Sequence, residues 1–321
     1  MVYVFLGIGF ALLLLGSEAV LRGGTGLFRA IGLPPIFISL LIVSFAMSAP
    51  ELSVAIQASS RGLPDIALGD IVGSNIANIL LICGIGALLR PMPAPPRVVF
   101  RDQGVLIAAS AALVFMGLGG FIARPLGAFL LVGWVGYLVL VSITDWGRPA
   151  QLLASEPAGR NGNGDYSVAL STFLLAVGVV CLFFGARLAI DFALLIARDF
   201  HLPQAAVALT LVALGTSLPE LVSTIASAVR GHPALVSGRL VASSVFNILL
   251  VLGIAAVMHP LSVAPTLAQF DAPVMAASAI ALALLMMFGW RVTRVQGFLL
   301  LIGYAAYVVS VGLRNGMHIS H

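Results

Sequence analysis

Glu51 and Glu220 each follow a proline, in Pro50-Glu51-Leu52 and Pro219-Glu220-Leu221, and each lies inside an otherwise apolar stretch. A charged residue at the centre of a bilayer costs at least ~2.5–3.5 kcal/mol on insertion scales. Meeting that cost at two matched positions calls for a role. The plain alternative is capping, since a carboxylate suits the positive end of the half-helix that each proline starts. Capping leaves unexplained why an acid is used both times. The neighbours are oxygen-bearing. Ser44, Ser48 and Glu51 are spaced i, i+4, i+7 and share a helix face, and Ala213, Ser217, Glu220 and Thr224 fall on the equivalent face of the second stretch. Ser74 and Asn78 share a face of the next apolar segment, as do Ser243 and Asn247 of theirs. A proline within a helix also frees a backbone carbonyl one turn earlier.

This array offers carboxylate, hydroxyl, amide and carbonyl oxygens, without thiolate or imidazole. Such hard ligands suit Na⁺, Ca²⁺ or Mg²⁺ rather than Zn²⁺ or copper. Ca²⁺ takes about 6–8 oxygens, which four symmetric helices could supply. Two carboxylates balance one Ca²⁺ or two Na⁺, and competition for that fixed charge is the physical basis of exchange. Taken singly, each serine has a simpler reading as a small residue at a helix interface. The five histidines lie near loops or the C-terminus and take no part in the pattern.

The elements that must position these groups are membrane helices. Of 321 residues, 60% are hydrophobic and 9% charged, and the mean hydropathy is +1.12. A soluble domain carries ~25% charged residues, so a cytosolic globular enzyme, a disordered chain and a nucleic-acid-binding domain are excluded. No nucleophile–base pair or phosphate loop appears. At ~20 residues per span, the chain divides at charged and Pro/Gly-rich points into ten helices: 2–21, 34–60, 65–89, 104–120, 125–145, 168–197, 203–229, 234–258, 271–290 and 295–313. The stretch from Val2 to Leu15 lacks a basic leader and a small-x-small cleavage site, and reads as an uncleaved first span. Cys83 and Cys181 both sit in apolar runs, which argues against a disulfide framework. The basic residues are all arginine, and their loop distribution is lopsided. Arg22, Arg29, Arg90, Arg97, Arg101, Arg148, Arg160, Arg230, Arg291 and Arg294 fall on one side; Arg61, Arg124, Arg198 and Arg314 fall on the other. By the positive-inside rule the first side is cytoplasmic. That places both termini outside and the polar linker from Trp146 to Ser167 inside.

The sequence also repeats itself. Residues 16–86 align without a gap to residues 185–255 at an offset of 169, with 23 identities in 71 positions. Leu33-Pro34 matches Leu202-Pro203, Arg61-Gly62 matches Arg230-Gly231, and Asn78-Ile79-Leu80-Leu81 matches Asn247-Ile248-Leu249-Leu250. Five spans per repeat make the second repeat enter the membrane from the opposite face. That is the inverted plan common among secondary transporters, with the substrate site at the midplane on interrupted helices. The expected organisation is a first repeat over 1–145, a cytoplasmic linker over 146–167 and a second repeat over 168–321.

The stretches 44–81 (SFAMSAPELSVAIQASSRGLPDIALGDIVGSNIANILL) and 213–250 (ALGTSLPELVSTIASAVRGHPALVSGRLVASSVFNILL) resemble the two alpha-repeats of the sodium/calcium exchangers, within the calcium/cation antiporter superfamily. The resemblance rests on a Thr-Ser-x-Pro-Glu core, a Gly-Asn-x-x-Gly-Ser-Asn element and a Leu-rich run, and it extends over essentially the whole chain. It implies an antiporter of ten helices with both termini outside, and three sodium sites and one calcium site between helices 2, 3, 7 and 8. Glu51 and Glu220 match the two essential carboxylates. Ser48, Ser74, Thr216, Ser217 and Ser243 match hydroxyl ligands. Ser44 and Ala213 match positions that give backbone carbonyls, and Asn78 and Asn247 the central polar pair. The family's large cytosolic regulatory domain has no counterpart in so short a linker.

The chain departs from the pattern. Met47 stands where the first repeat has Thr and Ala46 where it has Gly, so one sodium site loses a ligand. Asn247 stands where many exchangers have Asp. Asp70 and Arg239 replace the asparagines of the two Gly-Asn elements, and Ala242 and Ser244 depart from Gly-Ser-Asn. Asp70 and Arg239 occupy equivalent positions with opposite charge, and an ion pair between them is expected, against the alternative that each snorkels to its own interface. The expectation is an all-α plasma- or inner-membrane Na⁺/Ca²⁺ antiporter, working by alternating access around Glu51 and Glu220. It has no cofactor, carries Ca²⁺ and Na⁺ (or H⁺, since the same acids bind protons), and meets lipid but no nucleic acid or soluble protein partner. The alternatives are a Ca²⁺/H⁺ or other divalent antiporter, a passive cation channel, and a binder that does not transport.

Overall fold

A computed structural model describes residues 1–30, 44–145, 167–231, 233 and 236–316. Residues 146–166 of the linker, and residues 31–43, which include the start of the second span, lie outside the described residues. The first helix, α1, is Val2–Ala30. The second is seen from Ser44 and is broken: α2a is Ser44–Met47 and α2b is Ala49–Ser60, with Ser48 between them. There follow α3 (Pro64–Leu89), α4 (Val98–Leu118), α5 (Arg124–Asp145) and α6 (Val168–Asp199). The seventh span is α7a (Gln204–Thr216) and α7b (Leu218–Val229), bent by 46° at Ser217. The remaining helices are α8 (Val236–Met258), α9 (Leu267–Met287) and α10 (Arg294–Gly316). Among the described residues, eight helices are long and apolar enough to cross a membrane, and the bent α7 pair makes a ninth.

The sequence sets the breaks. Pro50 and Pro219 each occupy the first turn of the half-helix that follows, where the missing N–H costs nothing. The helix before each proline stops because its ring clashes with the preceding turn. A second irregularity recurs in both repeats. Wide π-helical turns run over Ala77–Ile82 in α3 and Asn247–Val251 in α8, around the two asparagines singled out above. Such turns collect at functional sites because they re-aim side chains and loosen carbonyls.

Burial separates a centre from a periphery. The apolar windows of α3 and α8 are each 83% buried, against 22% for α5 and α6. The two broken helices pack on this central pair. Glycine permits the closest of these contacts: a Cβ on Gly73 of α3 would run into the Leu209 carbonyl oxygen of α7a. At the edge, α1 and α6 pack along a spine of small residues, with Gly9 against Gly185 and Gly16 against Gly178. The repeats are also clasped at their loops. β1 (Met92–Pro93) pairs antiparallel with β4 (Arg291–Val292), and β2 (Phe121–Ile122) pairs with β3 (Leu261–Ser262). Each two-stranded clasp joins one repeat to the other.

Two helices begin earlier than the charge pattern implied. The expected starts at 104 and 271 are displaced to 98 and 267. Arg101 and Asp102 fell before the expected span and Asp271 at its first residue, but each lies within a helix and is satisfied within the fold. Asp102 accepts from Arg101 Nε at 2.7 Å and from the Tyr137 hydroxyl at 3.2 Å. Asp271 accepts from Arg314 Nη2 at 2.8 Å and from the Tyr307 hydroxyl at 3.2 Å. Paired charges do not end a helix.

Candidate cation site

The α2 break places Ser48 and Glu51 at the bundle centre, and the α7 break does the same for Thr216, Ser217 and Glu220; α3 contributes Ser74 and Asn78, and α8 contributes Ser243 and Asn247. All nine side chains are buried. The fold thus brings together residues that are far apart in sequence. Ser48 Oγ lies 3.3 Å from Ser243 Oγ. Ser243 Oγ donates to Glu220 Oε1 at 2.8 Å. On the other flank, Ser74 Oγ lies 3.1 Å from Thr216 Oγ1 and donates to the Ala213 carbonyl at 3.4 Å, which Thr216 also reaches at 3.2 Å. The side chain of Ser44 is outside the described residues.

What these groups lack is as informative as what they contact. Among the described residues, both oxygens of Glu51 and Oε2 of Glu220 are buried and meet no hydrogen-bond partner at normal geometry, as is true of the Ser217 hydroxyl and both side-chain polar atoms of Asn78. Ser217 lies beside Glu51, and the two glutamates are close enough to repel. Unsatisfied buried carboxylates are among the most costly arrangements a fold can hold. A cation among them would supply the missing counter-charge. Among the described residues no three His, Cys, Asp or Glu side chains converge on a common metal position. A cation here must therefore draw on mixed oxygens: two carboxylates supplemented by hydroxyl, amide and carbonyl groups. That donor set suits hard monovalent and divalent cations.

One expectation needs correction. Asp70 and Arg239 do not pair. Asp70 Oδ1 accepts from Thr216 Oγ1 at 2.8 Å, while Arg239 Nη2 donates to Ser227 Oγ at 3.3 Å on α7b. Asn247 Nδ2 donates to Asn75 Oδ1 at 3.3 Å, and Asn75 in turn reaches Met275 Sδ at 3.5 Å. The sequence reading did not assign Asn75 a role, although it lies within the Gly73-Ser74-Asn75 element that carried the resemblance.

A profile of the family described as "Sodium/calcium exchanger protein" matches residues 1–143 and 170–313, in both halves of the chain. The chain belongs to the sodium/calcium exchanger family. CaxA of Alkalimonas amylolytica is 31% identical over 315 residues, covering 95% of this chain and 96% of its own. The sodium/calcium exchanger MaX1 of Methanosarcina acetivorans is 29% identical over 96% of this chain and 97% of its own. The solved structure of the sodium-calcium exchanger NCX_Mj, from crystals soaked with Na⁺ and Sr²⁺, superposes with a TM-score of 0.65 at 25% identity, covering 97% of this chain and 99% of that one. The fold is therefore the all-helical membrane fold of this family, the protein is a multi-pass membrane cation antiporter, and the family is one of transporters, not enzymes.

Proposed function

We propose that this exchanger couples inward Na⁺ movement to Ca²⁺ extrusion, with Glu51 and Glu220 as the shared ligands. One observation carries the reading: among the described residues, three of the four oxygens of two buried, repeat-related glutamates have no hydrogen-bond partner. Ca²⁺ would neutralise the pair in one step, and Na⁺ would compete for the same oxygens. The ions then cannot occupy the carboxylates together, so arrival of one drives departure of the other. Ser48, Ser217, Ser243 and Asn78 would complete the coordination, with Ser74, Thr216 and the Ala213 carbonyl on the flank and Asn247 held through Asn75. The two broken helices give the site a route to alternating access, in which packing changes of α2 and α7 open it to one face at a time. The arginine distribution supports an inner or plasma membrane orientation with both termini extracytoplasmic, and the polar linker in the cytoplasm between two five-helix repeats.

The test is ⁴⁵Ca²⁺ uptake into proteoliposomes under imposed gradients. Na⁺-loaded vesicles in Na⁺-free medium should accumulate Ca²⁺, whereas vesicles without a gradient should not. Uptake driven only by a pH gradient would replace Na⁺ with H⁺ as the counter-ion. Uptake with no gradient would make the protein a passive pathway.

A further inference from the structure

Asn78 and Asn247 occupy matched positions of the two repeats, yet the fold holds them differently. We propose that Asn75 and Met275 are positioning residues: they turn the Asn247 amide so that its oxygen, and not its NH2, is offered to the transported cation, while Asn78 has no such tether. This rests on the cation-binding reading above and adds how a neutral side chain is fixed as a ligand.

A carboxamide has two unlike ends. Its oxygen attracts a cation and its NH2 repels one. An asparagine at a cation site therefore helps in only one of its two orientations. At Asn247 the orientation is set by a chain of side chains from three helices. Met275 of α9 is fully buried, and its thioether sulfur can accept a hydrogen bond but not donate one. Asn75 of α3, also fully buried, donates Nδ2 to that sulfur at 3.5 Å, which leaves its Oδ1 for the opposite neighbour. Asn75 Oδ1 accepts from Asn247 Nδ2 of α8 at 3.3 Å. The polarity that starts at the sulfur thus reaches Asn247. Its Oδ1 is the free end of the chain, buried and, among the described residues, without a hydrogen-bond partner. An orphaned carbonyl oxygen in a dry core is costly, and a cation removes that cost. The position fits a ligand. Asn247 lies one helical turn beyond Ser243, whose hydroxyl donates to Glu220 Oε1 at 2.8 Å.

The other repeat does not contain this chain. At the offset of 169 residues, Asn75 corresponds to Ser244 and Met275 to Leu106, a buried side chain that neither donates nor accepts. The Ser244 hydroxyl is buried without a hydrogen-bond partner among the described residues, and so are both polar atoms of Asn78. Asn78 can therefore present either end of its amide as ions come and go, whereas Asn247 offers its oxygen alone. Inversion supplies two amides, and the departures from it make one fixed and one free to turn.

The test uses a side chain with no wrong end. An aspartate at this position presents an oxygen whichever way it turns, and so has no need of Asn75. Binding of ²²Na⁺ and of ⁴⁵Ca²⁺, each titrated alone on the purified full-length protein, should be compared for Asn75→Ala in the wild-type and Asn247→Asp backgrounds. In the wild-type background Asn75→Ala should weaken both ions by about tenfold, the scale of one oriented polar contact. In the Asn247→Asp background the same substitution should leave affinity within about twofold, the usual scatter of independent sites. Equal losses in the two backgrounds would make Asn75 a packing residue and overturn the proposal, as would unchanged affinity in the wild-type background. Met275→Leu keeps the core volume and removes only the acceptor, so it carries the same comparison if Asn75→Ala does not fold: a smaller loss in the wild-type background and none in the other. Na⁺ binding that depends on Asn75 in this way, with no Ca²⁺ bound by any of the proteins, would reject the Na⁺/Ca²⁺ reading and leave the relay standing.

Discussion

Four of the five buried acids among the described residues fall into two kinds. Asp102 and Asp271 are satisfied by arginine and tyrosine partners and hold neighbouring helices together. Glu51 and Glu220 keep oxygens without partners at the bundle centre. The first kind is structural, and a substitution there should cost stability before it costs transport. Asp271→Asn weakens the contacts to Arg314 and Tyr307, and should lose about 1.5–3 kcal/mol, the usual range for hydrogen bonds to a charged group. A clear fall in melting temperature, with the Na⁺ and Ca²⁺ affinities of the folded protein retained, is expected. An unchanged melting temperature would mean that the Asp271 cluster does not brace α9 against α10. The glutamates were legible in the sequence because a costly residue type recurs at a costly depth. Asp70 and Arg239 were noticed for the same reason but wrongly joined, since equal spacing along inverted repeats says which residues are equivalent and not which ones meet. Asn75 has no counterpart amide at its repeat position, where Ser244 stands, so periodicity gave it no mark.

The broken helices are the elements that make the site, and their prolines announced them. Hydropathy alone located the other spans, with errors where charges were paired or glycines faced a partner. The first span was expected to end at 21, near Arg22 and the pair Gly23-Gly24, yet α1 runs on to Ala30. Glycine is tolerated there because it lets two backbones touch. A Cβ on Gly23 would lie 2.6 Å from the Leu175 nitrogen and the Ser171 carbonyl oxygen of α6. Backbone atoms cannot move aside as a side-chain tip can. Gly23→Ala should therefore push α1 away from α6 and destabilise the protein by about 1–3 kcal/mol, the range for overpacking, read as a lower melting temperature. A variant as stable as the wild type would show that the α1–α6 contact is looser than its glycine spine implies.

At the scale of the whole molecule, inversion is what gives an exchanger two nearly equal half-sites, and its imperfections are where function is specified. The short clasps between β1 and β4 and between β2 and β3 bind each repeat to the other, so a half alone leaves its strands unpaired. The proposed orientation, with both termini outside the cytoplasm, can be tested directly. A C-terminal fusion to a reporter that is active only outside the cytoplasm should be active, and a fluorescent reporter that matures only inside should stay dark. The reverse pattern would invert the assignment.

The central claim is that Glu51 and Glu220 together hold the divalent ion. Its most direct test is ⁴⁵Ca²⁺ binding to purified wild-type, Glu51→Gln and Glu220→Gln proteins in Na⁺-free buffer, with melting temperature as a check on folding. Each substitution keeps the volume and an acceptor oxygen but removes one negative charge from a buried pair. Both variants should remain folded and lose Ca²⁺ affinity by at least about a hundredfold, on the scale of one buried charge–charge contact. A folded variant of either kind that binds Ca²⁺ as the wild type does would contradict the account.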